Sequence, residues 1–436
     1  MKEIQDHQAK EGKLSANRPF VLLITAQLIS NVGDWLHLLA LLTMVGLKWE
    51  ATPWEITAIS LCMAIPMLVG GPFAGYLSDR FNRKALMIGS DLARAGIVAC
   101  LIFADLLWQV YLLLLVKGVM DVLFSPAKSG KLKELVPQAQ MDSAVALSSS
   151  IEQITKIIGP ALGGLLVAGF GISACYLIDS VTYLMSAVIL LGLPHKGAFK
   201  LENPDIGTDK APKQQSFCHE MAAGLRIIAG MPAVLTGIVM LVSVLLVLQI
   251  ADSQVVTLFR EIPGINGDLL GWCVGASGLG TLFSALLVSK RKGGTRPLIY
   301  MGSGAVLMGA VFASAALITQ YVQAGLLMNV ALFGSFMLAG LGAGLAFIPF
   351  QSMLQQRTPE AYIGRVFGTV GSLTSAAVIM GPVAGGALVT ASGPISAFLL
   401  SGILTLLLGL ALLVLRIKIE KRDEAATIRM KAVPAS

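Results

Sequence analysis

Gly159-Pro160-Ala161-Leu162-Gly163-Gly164 recurs 222 positions later as Gly381-Pro382-Val383-Ala384-Gly385-Gly386, and Pro137 recurs as Pro359 at the same shift. Each copy lies in a long apolar run, and the repeat therefore divides the chain into two similar halves. Around it the composition is that of a chain solvated by lipid. Of the 436 residues 55% are hydrophobic and only 13% are charged, with a mean hydropathy of +0.77, where a soluble domain carries about 25% charged residues. Apolar runs near the ~20 residues that a helix needs to cross the hydrocarbon core recur along the length. The alternating ~10-residue segments of a membrane barrel are not seen.

Twelve spans are expected, near 19–47, 55–77, 85–105, 109–126, 142–168, 172–193, 232–259, 268–289, 297–318, 322–350, 363–389 and 394–415. The fold class is thus an all-α membrane protein with twelve transmembrane helices in two six-helix repeats. An even number of spans per half gives both copies the same orientation, as in parallel repeats about an axis along the membrane normal. The expected organisation is an N-terminal bundle over 1–194 with a tail over 1–18, and a polar linker over 195–230. A C-terminal bundle over 231–415 and a tail over 416–436 follow. In the linker, Phe217, Met221, Leu225 and Ile228 at helical spacing predict a helix along the membrane surface.

The tails and alternate loops, with Arg365 at the very start of span eleven, hold 27 of the 32 Lys and Arg, which by the positive-inside rule places both termini on the cytoplasmic side of a cell (inner) membrane. The basic residues sit in short loops between apolar runs, where they orient a membrane protein, and nucleic acid is not an expected partner. Cys62, Cys100, Cys175, Cys218 and Cys273 form no metal or redox spacing, and His7, His37, His195 and His219 form no cluster. No metal or other cofactor is expected. No nucleophile or acid/base constellation of an enzyme is recognisable either.

After the second span comes Gly75-Tyr76-Leu77-Ser78-Asp79-Arg80-Phe81-Asn82-Arg83-Lys84. Its acid stands beside a small residue, where it can cap a neighbouring helix start and hold one side shut. This loop resembles the signature Gly-x-Leu-x-Asp-Arg-x-Gly-Arg-Lys of the major facilitator superfamily. Asn82 replaces the usual glycine, and asparagine also tolerates left-handed turns. The second-half loop Val288–Gly294 lacks the acid. The resemblance implies a contact from Asp79 to the start of span eleven, here Gly364-Arg365. The Gly159, Pro160, Gly163, Gly164 motif of span five resembles the antiporter motif of exporters in that superfamily. Physically it gives a kinked, closely packed helix. Ala26–Asp34, Phe124–Lys128, Ile178–Tyr183 and Gly364–Gly368 resemble the third drug:proton antiporter group, which includes macrolide-efflux and enterobactin-exporter proteins. Ser125–Lys128 and Gly33-Asp34 also resemble bacterial lysophospholipid transporters.

Charges inside the membrane are the best functional pointers, because each costs roughly 2.5–3.5 kcal/mol at a helix centre on insertion scales. Asp34 has no opposite charge at helical spacing on its own span, and Asp252 sits at a similar depth in span seven. A carboxylate in a cavity that alternates between wet and dry can take up a proton there. Asp34 is the first candidate proton carrier, with Glu152 and Asp252 behind it. Lys117 with Asp121, and Glu152 with Lys156, are four apart and read equally as ion pairs that hold the half together. Asp179 either lines the cavity or bonds to neighbouring helices. Asp91 and Arg94 are grouped with Asp79 in the gate. The expected activity is proton-coupled export of small amphipathic molecules, drugs or a siderophore, by a monomer in the bilayer with the proton gradient as its energy source. The alternatives are a lysophospholipid transporter of the same fold, or a uniporter or importer.

Overall fold

The computed structural model describes residues 14–137, 140–194, 228, 231–263, 267–289, 297–358 and 363–432. The expected linker helix and the loop Val288–Gly294 lie largely outside them. Helix α1 runs Arg18–Leu42 and continues as a π-helical turn, Thr43–Lys48. It is followed by α2 (Pro53–Arg80), α3 (Arg83–Leu101), α4 (Leu107–Leu135) and α5 (Met141–Leu191). Then come α6 (Pro232–Asp252), the short α7 (Val255–Arg260), α8 (Gly267–Ser289), α9 (Pro297–Tyr321), α10 (Leu326–Arg357) and α11 (Ile363–Ala432). Among the described residues nine helical stretches are long and apolar enough to cross a membrane by length and composition.

Two helices are bent where the sequence expects two spans each. Gly171 in α5 has φ 79°, and Gly393 in α11 has φ 81°. Positive φ is open to glycine at little cost because no Cβ meets the backbone. The two bends stand 222 residues apart, the shift of the Gly-Pro motif, so the duplication extends to backbone geometry. Splitting α5 and α11 there, and counting α6 with α7 as one, gives the twelve expected segments. The last helix also runs past 415 to Ala432, so the expected C-terminal tail begins as a continuation of span twelve.

The chain divides into two compact units: Met1–Met44 with Leu61–Gly207, and Val45–Ser60 with Thr208–Ser436. The sequence places 45–60 in the first bundle, and hydrogen bonds explain the difference. Gln254 Nε2 donates to Pro53 O at 3.0 Å and to Thr57 Oγ1 at 3.2 Å. Thr57 Oγ1 donates to Pro382 O at 3.0 Å, and Arg260 Nη2 to Ala51 O at 2.6 Å.

Within the first unit, Gly159 and Gly163 let α5 lie against α1. A Cβ on Gly159 would stand 2.2 Å from Trp35 Cδ1, and one on Gly163 2.7 Å from Leu39 Cδ1. In the second unit Gly381 and Gly385 do the same for α11 against α6, facing Gln249 and Ile250. Each motif copy thus seats a late helix on the first helix of its own unit.

Helix ends are satisfied by side chains rather than left to lipid, where an unpaired backbone group is costly. Asn17 caps α1 by accepting from Phe20 N at 3.2 Å and donates to Leu135 O of α4 at 2.8 Å. Asn82 accepts from Lys84 N at 2.9 Å and from Ala85 N at 3.3 Å. Its φ is −63°, so the residue replacing the motif glycine is an N-cap in extended conformation and makes no left-handed turn. In the second unit Asp423 on the extended end of α11 accepts from Ala233 N at the start of α6 at 3.1 Å and pairs with Arg357 at the end of α10.

Candidate functional site

The first unit holds a connected set of charges drawn from four of its helices. Lys117 of α4, 4% exposed, stands 3.1 Å from Asp34 Oδ1 of α1 and 3.0 Å from Asp121 Oδ2 one turn along α4. Arg94 of α3 reaches Asp121 Oδ1 at 3.1 Å and pairs with Asp91 on its own helix. Ser186 of α5 donates to Asp91 Oδ2 at 2.7 Å, and Tyr183 of α5 donates its hydroxyl to Asp34 Oδ1. The Arg94 guanidinium lies between two rings, 4.4 Å from the centroid of Phe124 and 4.6 Å from that of Tyr183, a cation–π arrangement that holds its plane.

One turn from Asp34 on α1, His37 Nδ1 lies 2.8 Å from Asp179 Oδ2 of α5, with the two side chains 1% and 0% exposed. Thr182 Oγ1 lies 3.1 Å from the other oxygen, Asp179 Oδ1. Gly33 makes the crossing possible, since a Cβ there would stand 2.1 Å from both Asp179 Oδ1 and Thr182 Oγ1.

Four carboxylates, Asp34, Asp91, Asp121 and Asp179, therefore meet two permanent cations, Arg94 and Lys117, and one titratable base, His37. Buried charges persist only when paired or neutralised. The set carries two more carboxylates than permanent cations. Asp34 and Asp121 remain 34% and 39% exposed at the side chain, so water reaches two of the acids.

Nearer the start of α1 lies a second polar cluster. Glu152 pairs with Lys128 of α4 at 2.7 Å and accepts from Gln27 Nε2 at 3.3 Å. Gln27 and Ser148 also bond each other, with Ser148 Oγ donating to Gln27 Oε1 at 2.8 Å.

Several sequence expectations are placed differently. The Lys117–Asp121 pair forms as spaced. Glu152 has Lys128 on another helix as its cation, and the Lys156 side chain lies outside the described residues. Asp91 and Arg94, grouped with Asp79 by sequence, have Asp121, Ser186 and Tyr183 as partners. Asp179 binds a histidine of α1, neither lining residue nor backbone acceptor. Asp34 is paired after all, by a lysine from α4. His37, Tyr183, Ser186, Gln27 and Lys128 were not singled out. The Phe124–Lys128 and Ile178–Tyr183 segments quoted above did carry two of them.

In the motif after α2, Arg83 donates to Glu134 Oε1 at 2.8 Å and to Gly130 O at 3.3 Å. Lys84 donates to Leu191 O at 2.7 Å and Leu193 O at 2.6 Å, closing the end of α5. Arg80 lies over the Tyr76 ring at 4.7 Å, and no atom stands within 4 Å of a Cβ built on Gly75. The side chains of Asp79, Pro160 and Arg365, and the surroundings of Gly364, lie outside the described residues. Between α2 and α4 an apolar groove of about 420 Å³ is lined by Ile65, Val69, Phe73, Leu115 and Val119.

In the second unit Asp252 ends α6. It is exposed and has no ion pair among the described residues. It stands one turn further along its helix than Asp34 does along α1, so the depths expected to match differ by about 6 Å at 1.5 Å per residue.

The motif at Gly159-Pro160, expected to kink its helix, packs it closely while the bends fall at Gly171 and Gly393; long apolar helices, duplicated, with an internal charge network, fit a secondary transporter. Comparison with known proteins agrees: residues 23–337 and 324–435 match the model of the Major Facilitator Superfamily, and the chain belongs to that family. It is 39% identical to the MFS-type transporter YfiS of Bacillus subtilis over 90% of this chain and 92% of that one. It is 24% identical to macrolide efflux protein A of Enterococcus faecalis over 75% of this chain and 98% of the relative. Among solved structures, the nucleoside transporter NupG superposes with a TM-score of 0.64 at 14% identity, covering 91% of this chain and 98% of that one, a likeness of fold. The protein is an integral membrane transporter with efflux pumps among its relatives, and it is not an enzyme.

Proposed function

We propose that the chain is a proton-coupled exporter of small amphipathic molecules. It works by alternating access in the cell (inner) membrane, as a monomer with both termini cytoplasmic. It needs no cofactor beyond the proton gradient. The observation that carries this reading is the position of Asp34, shared between the Lys117 ammonium and the Tyr183 hydroxyl and a third exposed to water. A proton on Asp34 cancels its attraction for Lys117, which then rests on Asp121 alone. Coupling follows if the two access states differ in that pairing, since a proton drives a conformational change only through its differential affinity for the two states. The efflux relatives favour export, and macrolide efflux protein A suggests a bulky amphipathic substrate.

The test is proton movement in proteoliposomes loaded with a pH-sensitive dye and challenged with erythromycin, ethidium, a catecholate siderophore or lysophosphatidylethanolamine. A substrate-evoked pH change in the wild type that Asp34→Asn abolishes supports antiport. The apolar groove between α2 and α4 favours a second reading, in which it guides the acyl chain of a lysophospholipid. If lysophosphatidylethanolamine crosses the bilayer with no accompanying proton movement, antiport is wrong and the lipid reading replaces it.

A further inference from the structure

Resting on that reading, we propose that His37 and Asp179 form a second proton-binding site beside Asp34, in which His37 Nε2 takes the proton while Nδ1–H stays bonded to Asp179. An ionised Asp179 oxygen 2.8 Å from Nδ1 accepts, and with that acid ionised Nδ1 carries the hydrogen and Nε2 of the neutral ring carries a lone pair. That Nε2 is buried and has no hydrogen-bond partner among the described residues. Buried polar atoms without partners are uncommon, because each costs about 1–3 kcal/mol. Here the open atom is the basic nitrogen of the only histidine among the described residues.

The charges around the pair require the same thing. Asp179 interacts with His37 and Asp34 on α1, with Tyr183 on its own helix and with Lys117 on α4; Asp121, Arg94 and Asp91 join the set through Lys117. With four carboxylates against Arg94 and Lys117, a proton on Asp34 leaves the set still one positive charge short. A proton on Nε2 closes it and turns the His37–Asp179 contact into a charge-assisted bond between two fully buried groups.

The site is also placed to act on the structure. Its two members sit on α1 and α5, at the crossing where Gly33 lets the helices touch. Protonation tightens this crossing, and proton loss loosens it. His37 lies three residues from Asp34 on one face of α1, so both sites are carried by the same helix and respond to the same displacement.

The deciding measurement is nitrogen NMR of the histidine ring in nanodiscs. The chain has four histidines, and the triple variant His7→Gln, His195→Gln, His219→Gln leaves His37 as the sole imidazole and keeps every residue named in the site. The expected result is an Nδ1–H tautomer at high pH that gains a second proton on Nε2 as the pH is lowered. Asp179→Asn should shift this gain to lower pH by removing the counter-charge. In proteoliposomes driven with erythromycin or ethidium, His37→Gln should lower the number of protons moved per substrate about twofold while leaving substrate movement measurable. A ring that keeps one protonation state throughout, or that shows the Nε2–H tautomer, overturns the proposal. So does an unchanged proton ratio in His37→Gln. A ring that titrates in a protein showing no substrate-linked proton flux upholds the site and sinks the antiport reading instead.

Discussion

Replacing Lys117 with methionine tests whether the charge network is a single unit. The ammonium serves two acids, at 3.1 Å and 3.0 Å, from a side chain 4% exposed. Taking one partner from a buried ion pair costs about 3–5 kcal/mol, because the remaining charge is left uncompensated. Asp34 loses its cation while Asp121 keeps Arg94 at 3.1 Å, and both acids are about a third exposed, so water screens part of that loss. The expected cost is therefore about 2–4 kcal/mol. Asp34→Asn removes less: Lys117 keeps Asp121, and asparagine keeps an acceptor for Tyr183, so its cost should stay near 1 kcal/mol. Combining the two should recover about 1–2 kcal/mol relative to the sum of the single effects, since contacting residues are not additive. The Lys117→Met deficit should also shrink as pH falls, because a proton on Asp34 removes the charge left unpaired. Thermal and detergent unfolding followed by tryptophan fluorescence measures all four proteins. Equal losses for the two single variants with simple additivity in the double would refute the argument that these acids share one lysine.

Two further substitutions probe the packing around the network. Gly33→Ala places a methyl 2.1 Å from Asp179 Oδ1 and Thr182 Oγ1 and should cost about 1–3 kcal/mol as overpacking. Gly96→Ala, whose Cβ meets nothing within 4 Å, should be neutral or stabilising by under ~1 kcal/mol, and equal melting temperatures for the two would rule out the close crossing. Lys84→Met leaves the carbonyls of Leu191 and Leu193 without their shared donor. A loss of about 2–3 kcal/mol is expected from two charged hydrogen bonds partly replaced by water, together with faster amide exchange over 189–193; unchanged exchange there would show that the lysine is not the cap.

The duplication was legible because it is written in residues that the backbone needs. Gly159 and Gly381 permit close approach, and Gly171 and Gly393 permit a bend, so each recurs at one shift. The pairs inside the membrane were legible only within a helix: Lys117 and Asp121 stand four apart and meet. Glu152 and Lys156 share that spacing, yet Glu152 turns to Lys128, because a neighbouring helix offers a cation of equal charge and spacing along one helix carries no information about its neighbours. The same blindness hid the His37–Asp179 pair, whose members are 142 positions apart, and left Asp34 without its lysine. A lone histidine in an apolar run gives no periodic signal at all. The contacts of 45–60 were hidden for a related reason: chain order places the segment with the first bundle, while hydrogen bonds through Gln254, Thr57 and Arg260 join it to the second unit.

Asp423 bears on how the second unit is made. The acid that receives the first free amide of α6 leaves the ribosome 190 residues after the amide it receives. While synthesis is under way, the start of α6 must therefore rely on water or lipid headgroups, and the unit is completed only once its final turns have emerged. Fusions and truncations inherit this constraint: a cut after 415 that spares every apolar segment removes the stop for a helix at the opposite end of the unit's sequence, while an addition beyond Ser436 leaves it in place.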